Sequence, residues 1–328
     1  MTQLIPAFDF HQVIVAPWSQ DAAGTFPIVL MGFLVGAACG LVGTFLILRR
    51  MALVGDAISH SVLPGIAIAF LLTNSRGTLP MFIGALAAGI VTTLLIEIIH
   101  RKTRVKQDAA IGIAFTSLFA VGVILISLYA SKIDLDQECV LYGEIGFIGL
   151  EEGITLGGIN FSPQLIRMAS VTLVVAALIL IFYKELLVSS FDPALAFSVG
   201  INASVVHYSL MCVLSAVVVS AFESVGAILV IAMLILPGAT GSLLSQRLPR
   251  VMGLAVLHAA MSSVMGLHLA TWLDCSIAAS MVVMGAFLFA FAWIFSPSQG
   301  IIQRFIRSKP KLDEPPADLP AAEKSAVG

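Results

Sequence analysis

The sequence predicts an all-α, polytopic transmembrane helical bundle of about nine spans, with eight as the alternative count. Three observations carry that expectation. Of 328 residues, 59% are hydrophobic and 11% charged, with a mean hydropathy of +1.03. Soluble domains carry roughly 25% charged residues, so in water this chain would present far more apolar surface than it could hide. The apolar residues also gather into runs of about 20, the length a helix needs to cross ~30 Å of hydrocarbon with its backbone satisfied internally. Lysines and arginines, finally, cluster on alternate breaks between the runs. A net charge of −2 without a basic excess excludes a nucleic-acid binder, and the hydropathy excludes a soluble enzyme or a disordered scaffold.

Taken in order, residues 1–25 are expected to form an exterior N-terminal segment. It has no basic n-region and contains Pro6, Asp9, Pro17 and Asp21, so a cleaved signal peptide is not expected. Spans are expected at about 26–48, 53–72, 79–99, 109–130, 165–183, 204–222, 224–244, 251–271 and 275–296. The sixth and seventh are interrupted only by Glu223, and one of them is a candidate half-span. The first carries Gly32, Gly36 and Gly40 at four-residue spacing, a face on which another helix backbone can approach closely. An exterior loop is expected to fill 131–164, and the proline-rich 301–328 reads as a disordered cytoplasmic tail following the transmembrane domain, 26–300. Four scattered cysteines, Cys39, Cys139, Cys212 and Cys275, show neither a disulfide framework nor thiolate metal spacing.

Orientation follows from retention of short basic loops in the cytoplasm. An exterior N-terminus places Arg49, Arg50, Arg101, Lys102, Arg104, Lys106, Lys184, Arg247, Arg250, Arg304, Arg307, Lys309 and Lys311 inside. Only Arg76, Lys132 and Arg167 then fall outside. The exterior collects Asp134, Asp136, Glu138, Glu144, Glu151, Glu152 and Asp274, either a cation-meeting surface or a solvated rim.

Ionisable residues within spans are costly, at least about 2.5–3.5 kcal/mol each at the midplane, and are kept when partnered. Asp56 and His60, in GDAISHSVLPG, share one helix face at i,i+4, and His60 lies about 15 Å beyond Arg50. A carboxylate with an imidazole suits a borderline divalent ion such as Zn, Mn or Fe(II). The alternative is that the two side chains only hydrogen-bond each other or neighbouring helices. His258, about 12 Å beyond Arg250, is a weaker candidate for the same interior. His207 and His268 read as interfacial, and Glu97 as an i,i+4 partner of Arg101. Glu223 either gates a cation path or marks a turn.

No GxxxxGK[ST], HExxH or GxSxG motif occurs, so an ATP-driven activity would need another subunit. Ser59, His60 and Asp56 cannot form a hydrolytic relay, because adjacent helical residues point about 100° apart. A handle for such a subunit is legible at about 186–202, where Asp192 reads as an N-cap, Pro193 as the first helical residue and Gly200 as the terminator. Phe191, Leu195, Phe197 and Val199 would be displayed either to a protein partner or to the lipid interface.

Several segments resemble the permease subunits of ABC-type metal uptake systems for manganese, zinc or iron. They are LILRRMALVGDAISHSVLPGIAIA (46–69), DLDQECVLYGEI (134–145), FDPALAFSVGI (191–201) and VGAILVIAMLILPGATG (225–241). The resemblance, over most of 26–300, implies a type II ABC importer-like permease in a bacterial inner membrane, with the N-terminus outside and the C-terminus cytoplasmic. It implies a dimer with a second copy or a paralogue, and cytoplasmic ATPase subunits docked on a coupling helix that includes Phe191, Asp192, Pro193, Ala196 and Gly200. An extracytoplasmic metal-binding protein would deliver the ion. Asp56 and His60 match the family's intramembrane metal-coordinating positions. The metal is then cargo, with no permanently bound cofactor. His268 and Asp274-Cys275-Ser276 depart from the family's aromatic, Asp-Pro-Ser/Thr pattern, so an outer gate of Glu223, His268 and Asp274 would be differently built. A proton-coupled secondary carrier is the rival reading, and a non-transporting membrane scaffold the other.

Overall fold

The computed structural model describes residues 6–73, 78–129, 145–149, 153–156, 159–296 and 300. The acidic residues Asp134, Asp136, Glu138, Glu144, Glu151 and Glu152, and the segment 301–328, lie outside the described residues. A π-helical turn at His11–Val15 runs into α1 (Ala16–Ser19), followed by α2 (Ala22–Leu48), α3 (Val54–Thr73), α4 (Thr78–Lys102) and α5 (Gln107–Tyr129). A small antiparallel hairpin, β1 (Ile154–Leu156) and β2 (Ile159–Phe161), pairs Ile154 with Phe161 within the expected loop. Next come α6 (Pro163–Ile181), α7 (Tyr183–Phe191), α8 (Pro193–Ser198), α9 (Ala203–Leu244), α10 (Leu248–Leu273) and α11 (Ile277–Phe295). Side chains cap several helices: Asp21 accepts from Gly24 N–H, Ser162 from Leu165 N–H, and Asn202 from Ser204 and Val205 N–H.

Eight of these helices are long and apolar enough to cross a membrane, and the chain is an integral membrane protein. One of the eight, α9, has 42 residues and would be about 63 Å long if straight, twice the hydrocarbon thickness. It is not straight. Gly226, at φ 77 and ψ 170, breaks it into two arms. The first arm has His207 beside Arg49, while the second sets Pro237 against Gly40 and Gly238 against Thr44 and Ile47. Residues 207 and 238 therefore lie level with the same end of α2, which requires the arms to run antiparallel. Among the described residues, the eight helices thus supply nine membrane-length segments. Helix continues through Glu223, and the chain reverses three residues later at glycine, since only glycine takes this backbone conformation without strain.

The core is built on α2, α3 and α9, each with 67% of its most apolar window buried, against 22% for α4 and α6. Small residues set the helix spacing. Gly36 faces Ala259, Gly40 faces Pro237 and Ala255, and Gly43 lies against the Leu234 main chain, so a Cβ there has no room. Gly65 and Gly84 bring α3 and α4 together in the same way. The last carbonyls of α2 are satisfied by a Schellman turn, with Arg50 N–H donating to Ile47 O (3.0 Å) and Met51 N–H to Leu46 O (2.8 Å). The left-handed position of that turn, usually glycine, is occupied by Arg50 at φ 59.

Candidate functional site

α3 begins at Val54, which places Asp56 in its first turn and His60 one turn later. Gly89 of α4 faces both Ile58, which lies between them, and Ser215 of the first arm of α9. Ser215 is about 12 Å from His207, at the Arg49 end, and Gly89 about 18 Å from Arg101. Counted from those charged ends, both positions fall within the middle third of a ~30 Å span. His60 Nε2 is 3.4 Å from Asp56 Oδ1, and the two side chains keep 35% and 34% of their surface exposed, so neither is sealed in a dry contact. From α5, Phe115 lies 5.4 Å and Phe119 5.8 Å from the imidazole, ring centre to ring centre, and they orient it. Pro64 lacks the N–H that would hold the His60 carbonyl in a regular helix, and α3 nonetheless continues to Thr73.

Chemically, the pair offers one anionic oxygen ligand and one imidazole, enough to grip a divalent ion but not to fill its coordination sphere. No group of three His, Cys, Asp or Glu side chains able to hold a metal occurs among the described residues. Ser59 donates to Gly55 O (3.1 Å) and Ser61 to Ile58 O (2.8 Å), so these hydroxyls serve their own helix and no hydrolytic relay forms.

His258 is brought to a different place. It is 3% exposed, with both ring nitrogens unpartnered, and it faces Gly285 of α11 near Leu236 and Ser262. α10 packs on α2, α9 and α11, whereas α3 packs on α4, α5 and α9. The two histidines thus sit in different helix clusters.

The three outer-gate candidates do not converge. Glu223 pairs with Arg167 of α6 at 2.8 Å, and Arg167 lies over the Phe82 ring. His268 holds the N-terminal segment instead. Its Nδ1 is 2.9 Å from Val13 O, which only accepts, so Nδ1 carries the proton and Nε2 accepts from Trp18 Nε1 at 3.3 Å. Asp274 is the left-handed C-cap of α10, at φ 49. Sequence spacing could not pair Glu223 with Arg167 or His268 with Trp18, because each partner lies on a distant segment.

The expected helix at 186–202 is two helices hinged at Asp192, whose carboxylate caps α8 by accepting from Ala194 and Leu195 N–H, both at 3.0 Å. Pro193 opens α8, and Gly200 at φ 82 ends its turn. Ala196 is fully buried, and it anchors the helix, while Phe191, Leu195, Phe197 and Val199 are exposed, Phe197 to 82%. A polar chain missed by sequence spacing lies behind it. Arg49 donates to Ser189 Oγ (2.9 Å) and Ser190 Oγ (3.0 Å) and touches His207, which in turn meets Glu97. Glu97 keeps its expected partner Arg101 as well.

A family model, the ABC 3 transport family, matches residues 23–296. The chain belongs to the ABC 3 transport family. Similar members include the manganese transport system membrane protein MntD of Bacillus subtilis, 46% identical over 282 residues, covering 86% of this chain and 95% of that protein. The zinc transport system membrane protein TroD of Treponema pallidum is 42% identical over 280 residues, covering 85% and 76%. Among solved structures, PsaBC from Streptococcus pneumoniae in complex with Fab aligns with a TM-score of 0.73 and 33% identity, covering 90% of this chain and all of that one. An ABC 3 permease fold therefore surrounds the Asp56–His60 pair.

Proposed function

We propose that this chain is the permease subunit of an ATP-driven importer of a divalent transition metal ion, with manganese, zinc and iron as the cargo class. The observation that carries this is the Asp56–His60 pair, one helical turn apart, half-open and in the middle third of the bundle. A polar pair on an otherwise apolar rim calls for a cover that lipid cannot supply. A second permease copy supplies it, and two Asp56 carboxylates then balance the charge of a divalent ion. Membership of the ABC 3 family and relatives named for manganese and zinc transport support the cargo class. Two weak half-sites also suit transport, because an ion held by a complete ligand shell would not leave.

In this reading ATPase subunits dock on α8 from the cytoplasm, where Phe191, Leu195 and Phe197 offer an apolar contact. Their ATP-driven closure rocks the bundle about the pair, and an exterior metal-binding protein delivers the ion at the opposite end. The N-terminus lies outside in this reading, the orientation that the distribution of lysines and arginines favours. Initial manganese uptake by cells producing Asp56→Ala or His60→Ala at normal membrane levels tests the site. Undiminished uptake removes it. Uptake in proteoliposomes that needs a proton gradient but neither ATPase nor ATP would establish the secondary carrier instead.

A further inference from the structure

Arg49 is the C-cap residue of α2, seven residues before Asp56. Burial pushes its guanidinium below the ordinary arginine range, yet an arginine stays charged at any physiological pH. A desolvated charge of that kind is retained where several acceptors hold it. Here Nη2 donates to Ser189 Oγ at 2.9 Å and Nε to Ser190 Oγ at 3.0 Å, both in the last turn of α7. Nη1 lies 3.4 Å from His207 Nδ1 on the first arm of α9. Because a guanidinium only donates, His207 Nδ1 is the acceptor, and its Nε2–H is turned to Glu97 Oε2 of α4 at 3.4 Å. One side chain therefore ties together α2, α7 and α9, and through His207 also α4.

The two ends of this tie are the functional elements. Ser190 is followed directly by Phe191 and by Asp192, the cap of α8. On the other side Arg49 leads through a turn with no slack into α3: Met51 N–H donates to Leu46 O and Val54 N–H to Met51 O, with Met51 and Val54 buried. We infer that Arg49 is a positioning residue that transmits displacement of the α7–α8 element to the α2–α3 turn, and so to Asp56 and His60. A lysine replaces it only in part, since a single ammonium does not present the planar fork that reaches two hydroxyls and an imidazole together.

This inference rests on the proposed import activity, so the assay measures metal import and ATP hydrolysis together, in proteoliposomes holding the permease with its ATPase subunits and manganese as the probe. Asp56→Ala is the control. If it imports normally, the import site itself is wrong. With the control inactive, Arg49→Ala is expected to keep at least half the hydrolysis rate while manganese ions moved per ATP fall about tenfold or more. Arg49→Lys falls in between. The double variant Ser189→Ala/Ser190→Ala, which removes two hydroxyls only, is expected to lower the same ratio several-fold. Adding Arg49→Ala to it should then cost less than the two losses multiplied, because neighbours in one network are not additive. An Arg49 with a merely structural role would lower import and hydrolysis in proportion. That result, or an unchanged ratio in the serine variant, overturns the inference, and the serine variant decides it if Arg49→Ala fails to reach the membrane.

Discussion

Replacing Gly226 with alanine tests the reversal that turns eight helices into nine membrane-length segments. The residue sits at φ 77 and ψ 170, a region essentially restricted to glycine, where another residue costs about 1–3 kcal/mol. Relaxation is blocked on both sides, because Ser224, Val225 and Ala227 are buried at 1%, 0% and 5% exposure. Straightening offers no escape either, since a continuous 42-residue helix would overrun the bilayer by about 30 Å. The strain must then appear as lost stability of about 2 kcal/mol. Gly253→Ala is the matched control, because it lies within α10 with nothing near the added Cβ and should gain roughly 0.5–1 kcal/mol. Cys39, fully buried in the core, reports unfolding in detergent through thiol labelling on heating, once the exposed thiols are blocked. Gly226→Ala should expose Cys39 several degrees below the parent and Gly253→Ala at or above it. Equal melting of the two variants would refute the reversal and its nine segments.

Three further outcomes are expected. Asp56→Asn keeps the side-chain volume but removes the negative charge an arriving cation would meet, a loss of about 1.5–3 kcal/mol for a charged acceptor that is about one-third exposed. Manganese uptake below half-saturation should therefore drop roughly tenfold or more at equal membrane abundance, and a loss under threefold contradicts the site. His258→Leu replaces a buried ring with no partner by an apolar side chain, so uptake should be unchanged and thermal stability equal or higher; a selective loss of uptake at intact stability would return His258 to the ion path. Phe197→Asp, at the most exposed position of α8, should insert normally and yet fail to co-purify with the ATPase subunits, and retained co-purification would move the docking surface elsewhere.

Much of the membrane architecture is legible because hydropathy is a one-dimensional property. The run from 26 to 48 is recognisable as a span wherever it packs, and Asp192 followed by Pro193 caps a helix by local hydrogen bonding alone. Asp56 and His60 are legible as a pair for the same reason, since i,i+4 spacing on any helix brings them together. Glu223 misled as a boundary because charge was the only visible interruption, whereas the chain turns at Gly226, whose role lies in its backbone angles. Spacing from Arg250 made His258 a companion of His60, but depth along one helix says nothing about which side of α2 that helix occupies.

The sequence by itself determined a membrane protein, its spans to within a few residues, and one local ligand pair, because solvent preference and helical periodicity act over neighbouring residues. Only the tertiary structure decided that α9 doubles back, that His258 is secluded, that His268 holds the N-terminal segment, and that Arg49 joins helices whose residues are 140 to 158 positions away. Those choices depend on which helix faces meet. Meeting faces are selected by small residues such as Gly36, Gly40 and Gly43, through contacts between segments that no local pattern encodes.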